Sequence, residues 1–121
     1  MRSIKVYIAG PYSQGDVEAN VEVAMRTWLE LWAVGYIPYC AHWTYFQNKF
    51  LELPYDDWLE FDGYWLESCD AVLRLPGPSR GADMEVTAAT QLGMSVYNST
   101  TELLKGLPPN GKPATRKDSS A

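Results

Sequence analysis

A chain of 121 residues, 46% hydrophobic and with five tryptophans, has enough apolar side chains for one packed domain and no room for a second, which excludes multidomain and wholly disordered architectures. Ten Lys and Arg against fifteen Asp and Glu give a net charge of -5; four of the basic residues lie from Lys105 onward, so residues 1–104 carry six basic and fourteen acidic side chains, a net of -8. That sign argues against a nucleic-acid partner, and no run approaches the roughly 20 apolar residues of a membrane span, so no membrane association and a cytoplasmic location are expected.

In chain order, IKVYIAG at 4–10 is a continuous β-branched apolar run stopped by Gly10 and Pro11, which suits a central strand covered on both faces. From Asp16, an N-cap residue type, apolar positions at 17, 21, 24, 25, 28, 31 and 32 keep the helical period until Gly35, predicting a helix over about 16–34. YIPYC at 36–40 is a second strand, and Pro38 assigns it to a sheet edge. An aromatic stretch follows from residue 41 to residue 57.

DDWLEFDGYWLESC, from residue 56, is helical in pattern, DAVLRLPG is a third strand, residues 82–92 form a helix, and MSVYN is a fourth strand before a short helix at 100–105. Strands alternating with helices predict an α/β fold, a doubly wound, flavodoxin- or Rossmann-like parallel sheet of four to five strands with flanking helices. The domain is expected to span residues 1–105. Residues 106–121, GLPPNGKPATRKDSSA, are rich in Pro, Gly, Ser and charge and are expected to be a disordered tail.

In such sheets ligands bind at the carboxyl ends of the strands, where strand order reverses. Two loops meet that rule, residues 10–15 and residues 76–81. Each precedes a helix N-terminus, whose free N–H groups and positive dipole end favour phosphate or carboxylate. Glu85, about one turn into its helix, faces the crevice, and proximity to the dipole favours its ionised, nucleophilic form. Asp62, among the aromatics of EFDGYW, is placed to be buried with a raised pKa and to donate a proton.

Gly10, Ser13, Ser79, Arg80 and Gly81 are substrate-binding candidates as parts of the anion loops. His42 and Trp43, in the aromatic stretch, could hydrogen-bond or stack on a nucleobase. Plain structural readings stay open for all of these. Asp83 and Glu85 could complement a helix dipole, Asp62 could be a solvated helix acid, His42 a core histidine, and the serines turn formers. One histidine and two unclustered cysteines offer no metal site, Cys40 and Cys69 read as buried thiols, and no cofactor is expected.

Taken together, VYIAGPYS, FDGYWLESCDAVLRL and PSRGADMEVTAATQLGMSVY resemble the nucleoside 2-deoxyribosyltransferase superfamily, especially its small branch of 2'-deoxynucleoside 5'-monophosphate N-glycosidases. The resemblance covers about residues 4–98. It implies that Glu85 is the nucleophile on the anomeric carbon of a 2-deoxyribosyl group. It also implies that Asp62, eight residues before Asp70, handles the departing base, that Tyr12 orients the nucleophile, and that Ser79, six residues before Glu85, holds a 5'-phosphate.

A deoxynucleoside or deoxynucleotide substrate and a homodimer or larger homo-oligomer follow from the same likeness. The chain departs from the Asp-x-Gly-Thr common before the glutamate of the transferases, having SRGAD instead, and Arg80 points toward a phosphorylated substrate. Water or a second base could resolve the glycosyl-enzyme. Two alternatives stand beside this reading. PGPSRGADME also looks like the Pro-Gly-Gly-x-Gly-Thr-x-x-Glu loop of cytokinin-activating phosphoribohydrolases, with the glutamate one residue later and no double glycine. A non-catalytic nucleotide-binding module on the same fold is the other.

Overall fold

The computed structural model describes residues 2–111. Among them four parallel strands, β1 (Lys5–Ala9), β2 (Ile37–Cys40), β3 (Ala71–Arg74) and β4 (Ser95–Tyr97), form one sheet in the order β2-β1-β3-β4. The helices are α1 (Val17–Val34), α2 (Thr44–Phe50), α3 (Tyr55–Glu67), α4 (Arg80–Gln91) and α5 (Thr100–Gly106). A 3-10 turn, Ala41–Trp43, precedes α2. The fold is α/β and doubly wound.

The central strand explains the layering. Every β1 residue after Lys5 is buried, because successive side chains leave opposite faces of the sheet and both faces are covered. Val6 and Ile8 pack with Ala24 and Leu31 of α1 and Leu103 of α5, whereas Tyr7 and Ala9 pack with Leu66 of α3 and Ala82 and Ala89 of α4.

Local signals set the ends of α1. The Asp16 side chain accepts from Ala19 N–H at 3.2 Å, and Gly35 ends the helix in the left-handed region at φ 112°, where a side chain would be strained. β2 lies at the edge, as Pro38 predicted. Ile37 N–H bonds to Ile4 O at 2.8 Å, so the backbone groups of Pro38 face away from β1, and its carbonyl accepts the indole N–H of Trp28 at 2.9 Å.

Two features differ from the sequence reading. Residues 41–57 contain the 3-10 turn, α2 and the start of α3, so much of the aromatic stretch, to which the sequence reading assigned no helix before residue 56, is helical; its aromatic content hides the period because α2 buries none of its residues. The packed chain also runs past residue 105. Leu107 is buried in the α1-side core, and the Tyr36 hydroxyl donates to its carbonyl at 2.7 Å. One leucine under a buried tyrosine anchors a segment whose composition otherwise reads as unstructured. Residues 112–121 of the expected tail lie outside the described residues. No helix of the described residues is long and apolar enough to cross a membrane.

The chain passes from β1 through α1 to β2, then crosses back over β1 to β3 on its other side. Strand order therefore reverses between β1 and β3, and the loops after these two strands flank the reversal. They touch: a Cβ at Gly77, whose φ is 110°, would lie 3.0 Å from Pro11 Cγ.

Candidate active site

The loop after β1 is shaped from α1. Asn20, on the first turns of that helix, donates its side-chain amide to the carbonyls of Tyr12 at 3.0 Å and Gln14 at 2.7 Å. The loop after β3 closes into α4 through Ser79, whose hydroxyl oxygen accepts from Ala82 N–H at 3.1 Å. Between the two loops lies a cavity of about 440 Å³, bounded on its remaining sides by α2, α3 and the 3-10 turn.

Nine of the ten side chains or glycines singled out in the sequence line this cavity: Gly10, Tyr12, Ser13, His42, Asp62, Ser79, Arg80, Gly81 and Glu85. Trp43 does not, and its ring stands about half exposed. Residues 41–59 add, among others, Thr44, Asn48, Leu53, Tyr55 and Trp58, none of which the sequence reading named as a site residue. Asn48 braces this side, its Oδ1 accepting from Leu53 N–H and from the Trp58 indole N–H, each at 3.0 Å.

Glu85 sits deeper in α4 than a first-turn acid. Arg80 opens the helix, Asp83 occupies the first turn, and Glu85 falls in the second, where the dipole has largely faded. Burial therefore dominates. It lifts the Glu85 carboxyl to about 7, against the lowering effects of a hydrogen bond from Tyr7 and of the Arg74 guanidinium. The dipole expectation of a readily ionised glutamate is corrected by that burial.

The tyrosine that reaches Glu85 is Tyr7, whose hydroxyl donates to Oε2. Tyr12 lines the same cavity, but its ring meets His42 and Tyr45 edge-on at 6.0 and 6.3 Å. Alternation along β1 puts Tyr7 beneath α4, a placement the sequence reading missed because it depends on which sheet face α4 covers. Burial, and then the charges of Glu85 and Asp62, push the Tyr7 phenol well above its ordinary value, so it remains a neutral donor. Arg74, at the end of β3, pairs with Asp83 at 2.9 Å and donates to Leu75 O, holding a cation behind Glu85.

Asp62 behaves as the aromatic setting of α3 implied. Burial, and then the charge of Glu85, lift it to about 7, with a hydrogen bond from Tyr39 acting in the lowering direction. The two carboxyls thus form an interacting pair that passes through a singly protonated form near neutral pH. Glu85 has a direct hydroxyl donor and a cation beside it, whereas the Asp62–Tyr39 contact is slack at 3.5 Å. In that form the charge belongs on Glu85 and the proton on Asp62. Both carboxyls face one cavity.

His42 is buried, and burial lowers its pKa against the raising pull of the Pro11 and Gly10 carbonyls. The neutral ring donates Nε2–H to Pro11 O at 2.9 Å. It ties the 3-10 turn to the first loop, the structural role left open for it. Cys40 and Cys69 are both buried, as the sequence reading expected, and burial pushes the Cys40 thiol up to about 12. Among the described residues no group of three or more His, Cys, Asp or Glu side chains is arranged to hold a metal.

Residues 4–99 match the model of a family described as a domain of unknown function (DUF7768). No curated protein matches the chain, and no solved structure matches it.

Proposed function

The chain belongs to the DUF7768 family, and we propose that it cleaves the N-glycosidic bond of 2'-deoxynucleosides or their 5'-monophosphates through a glutamyl-deoxyribosyl intermediate. The observation that carries this reading is the pair Glu85 and Asp62, both raised to about 7 and both lining one cavity at the strand-order reversal. Such a pair matches the two roles of retaining glycosyl chemistry.

In the first step a Glu85 carboxylate oxygen bonds to the anomeric carbon as the carbon–nitrogen bond breaks. The bonding pair leaves on the base nitrogen, and Asp62 supplies the proton to the base. In the second step water, or the nitrogen of another base, attacks the same carbon and gives its proton to the Asp62 carboxylate. The ester breaks, Glu85 regains its charge and Asp62 its proton. Tyr7 and Arg74 stabilise the Glu85 carboxylate at both ends of this cycle.

Ser79, Arg80 and Gly81 line the cavity where α4 begins, and a 5'-phosphate there meets unpaired helix N–H groups, a hydroxyl and a guanidinium. This favours monophosphates over free nucleosides. The likeness to the deoxyribosyltransferase superfamily also implies a homodimer. Phe50, 91% exposed, and Leu51, 72% exposed, just ahead of the cavity-lining Leu53, support an assembly that covers them.

The test is chromatographic detection of free base from deoxynucleosides and their 5'-monophosphates, with and without an acceptor base, beside Glu85→Ala. Base release lost in Glu85→Ala is expected. Full release by that variant would overturn the assignment of Glu85, release only from ribonucleotides would favour phosphoribohydrolase chemistry, and tight nucleotide binding without turnover would favour a binding module. Sedimentation of the same sample tests the dimer.

A further inference from the structure

Tyr7 and Tyr39 are register partners on the adjacent strands β1 and β2. Their rings stack with centroids 5.5 Å apart, yet their hydroxyls go to different carboxyls, Tyr7 to Glu85 and Tyr39 to Asp62. Tyr39 is stacked from elsewhere too: the Trp65 ring lies 5.3 Å away and within 10° of parallel. Trp65 follows Asp62 by three residues on α3, about one turn. The helix that carries the carboxyl therefore also grips the tyrosine that meets it.

We propose that Tyr39 is a positioning residue for Asp62. Held between Tyr7 and Trp65, its hydroxyl receives the Asp62 carboxylate once the proton has gone to the departing base, so that one side chain serves as donor in the first step and acceptor in the second. The proposal rests on the glycosidic reading for its catalytic meaning. At 3.5 Å the hydroxyl stands outside the usual range for a bond to a carboxylate, as suits a protonated Asp62 that makes little demand on a donor. Ionisation supplies the reason to close the gap.

The other groups around the pair do not duplicate this contact. Tyr7 on β1 donates to Glu85, Arg74 on β3 pairs with Asp83 of α4, and Cys40 beside Tyr39 is held as a neutral thiol. Cys69, past the end of α3, lies near Tyr39, and Glu85 repels the charged form of Asp62. Burial and Glu85 both favour a protonated Asp62, and the Tyr39 hydroxyl acts in the other direction. Without it, Asp62 would keep its proton at a pH where the second step needs it ionised.

The experiment is a carboxyl-carbon NMR titration of protein labelled at Asp Cγ and Glu Cδ, with Asp62→Asn and Glu85→Gln to assign the two resonances. Tyr39→Phe keeps the stacked ring and removes only the hydroxyl. The expected result is an Asp62 midpoint raised by about half to one pH unit with little change at Glu85. In turnover, Tyr39→Phe should slow resolution of the glycosyl-enzyme more than its formation, leaving KM nearly unchanged.

An Asp62 midpoint unmoved by Tyr39→Phe, or raised as much by Tyr7→Phe, overturns the proposal. The Tyr39 Cζ resonance of the unsubstituted protein gives a second readout that does not depend on the variant folding. It should shift with the Asp62 midpoint, and a flat Tyr39 signal across that midpoint also overturns it. Neither titration needs a substrate, so failure of the glycosidic reading, seen as no base release by the unsubstituted protein, is a separate outcome.

Discussion

Gly10 and Leu75 approach more closely than any side chain at position 10 would permit, since a Cβ built there would lie 2.8 Å from Leu75 Cβ and 3.0 Å from its Cδ1. The ends of β1 and β3 are thereby drawn together where the cavity opens. Gly10→Ala must push the strands apart, and a loss of about 1–3 kcal/mol is expected, measurable by urea unfolding. A stability within experimental error of the original would show that the contact is easily relieved.

Stability should decline between about pH 5 and pH 8. Glu85 rises from an ordinary 4.5 to about 7 and Asp62 from 3.8 to about 7. Over this window the folded chain binds more protons than the unfolded one, so the unfolding free energy falls as pH rises. Glu85→Gln should flatten part of that slope and gain on the order of 2 kcal/mol at pH 8. Parallel pH curves for the two proteins would count against a buried, proton-retaining Glu85.

Ser79 has two separable duties. Its hydroxyl caps α4, and in the proposed function it also meets a 5'-phosphate. Ser79→Ala should cost about 1 kcal/mol from the lost cap. Ser79→Asp retains a capping oxygen and adds a negative charge, so stability should hold while KM for monophosphates rises at least about tenfold, a change of about 1.4 kcal/mol. Unchanged monophosphate kinetics in Ser79→Asp would remove the phosphate from this end of the cavity.

The stretch beyond α5 contributes to the fold through Leu107. Ending the chain after residue 105 removes a buried leucine and the carbonyl that the Tyr36 hydroxyl meets at 2.7 Å. A loss of about 2–4 kcal/mol is expected relative to a chain ended after residue 111. Equal melting of the two truncations would show that Leu107 is dispensable.

Much of the fold was legible because its signals are local. The apolar run of β1, the Asp16 cap, the Gly35 stop and Pro38 at the edge each act within a few residues. Glu85 and Asp62 were legible for a different reason, a topology that sends both loops and both helices to the same reversal. The pairing of Tyr7 with Glu85 was not, because 78 residues separate them and only the choice of sheet face brings them together. Residues 44–50 were missed as a helix because an element that buries nothing shows no apolar period. The electrostatics of Glu85 were misjudged for a related reason, since burial is a tertiary property and the dipole a local one.

Pro38 has one more consequence. Its nitrogen carries no hydrogen, and its outward carbonyl is already taken by Trp28. At this point β2 offers an incoming strand neither a donor nor a free acceptor, so a fifth strand cannot zip onto that side without breaking the indole contact. Proline and tryptophan together act as a selvage, finishing the sheet at this margin against recruitment of a neighbouring chain.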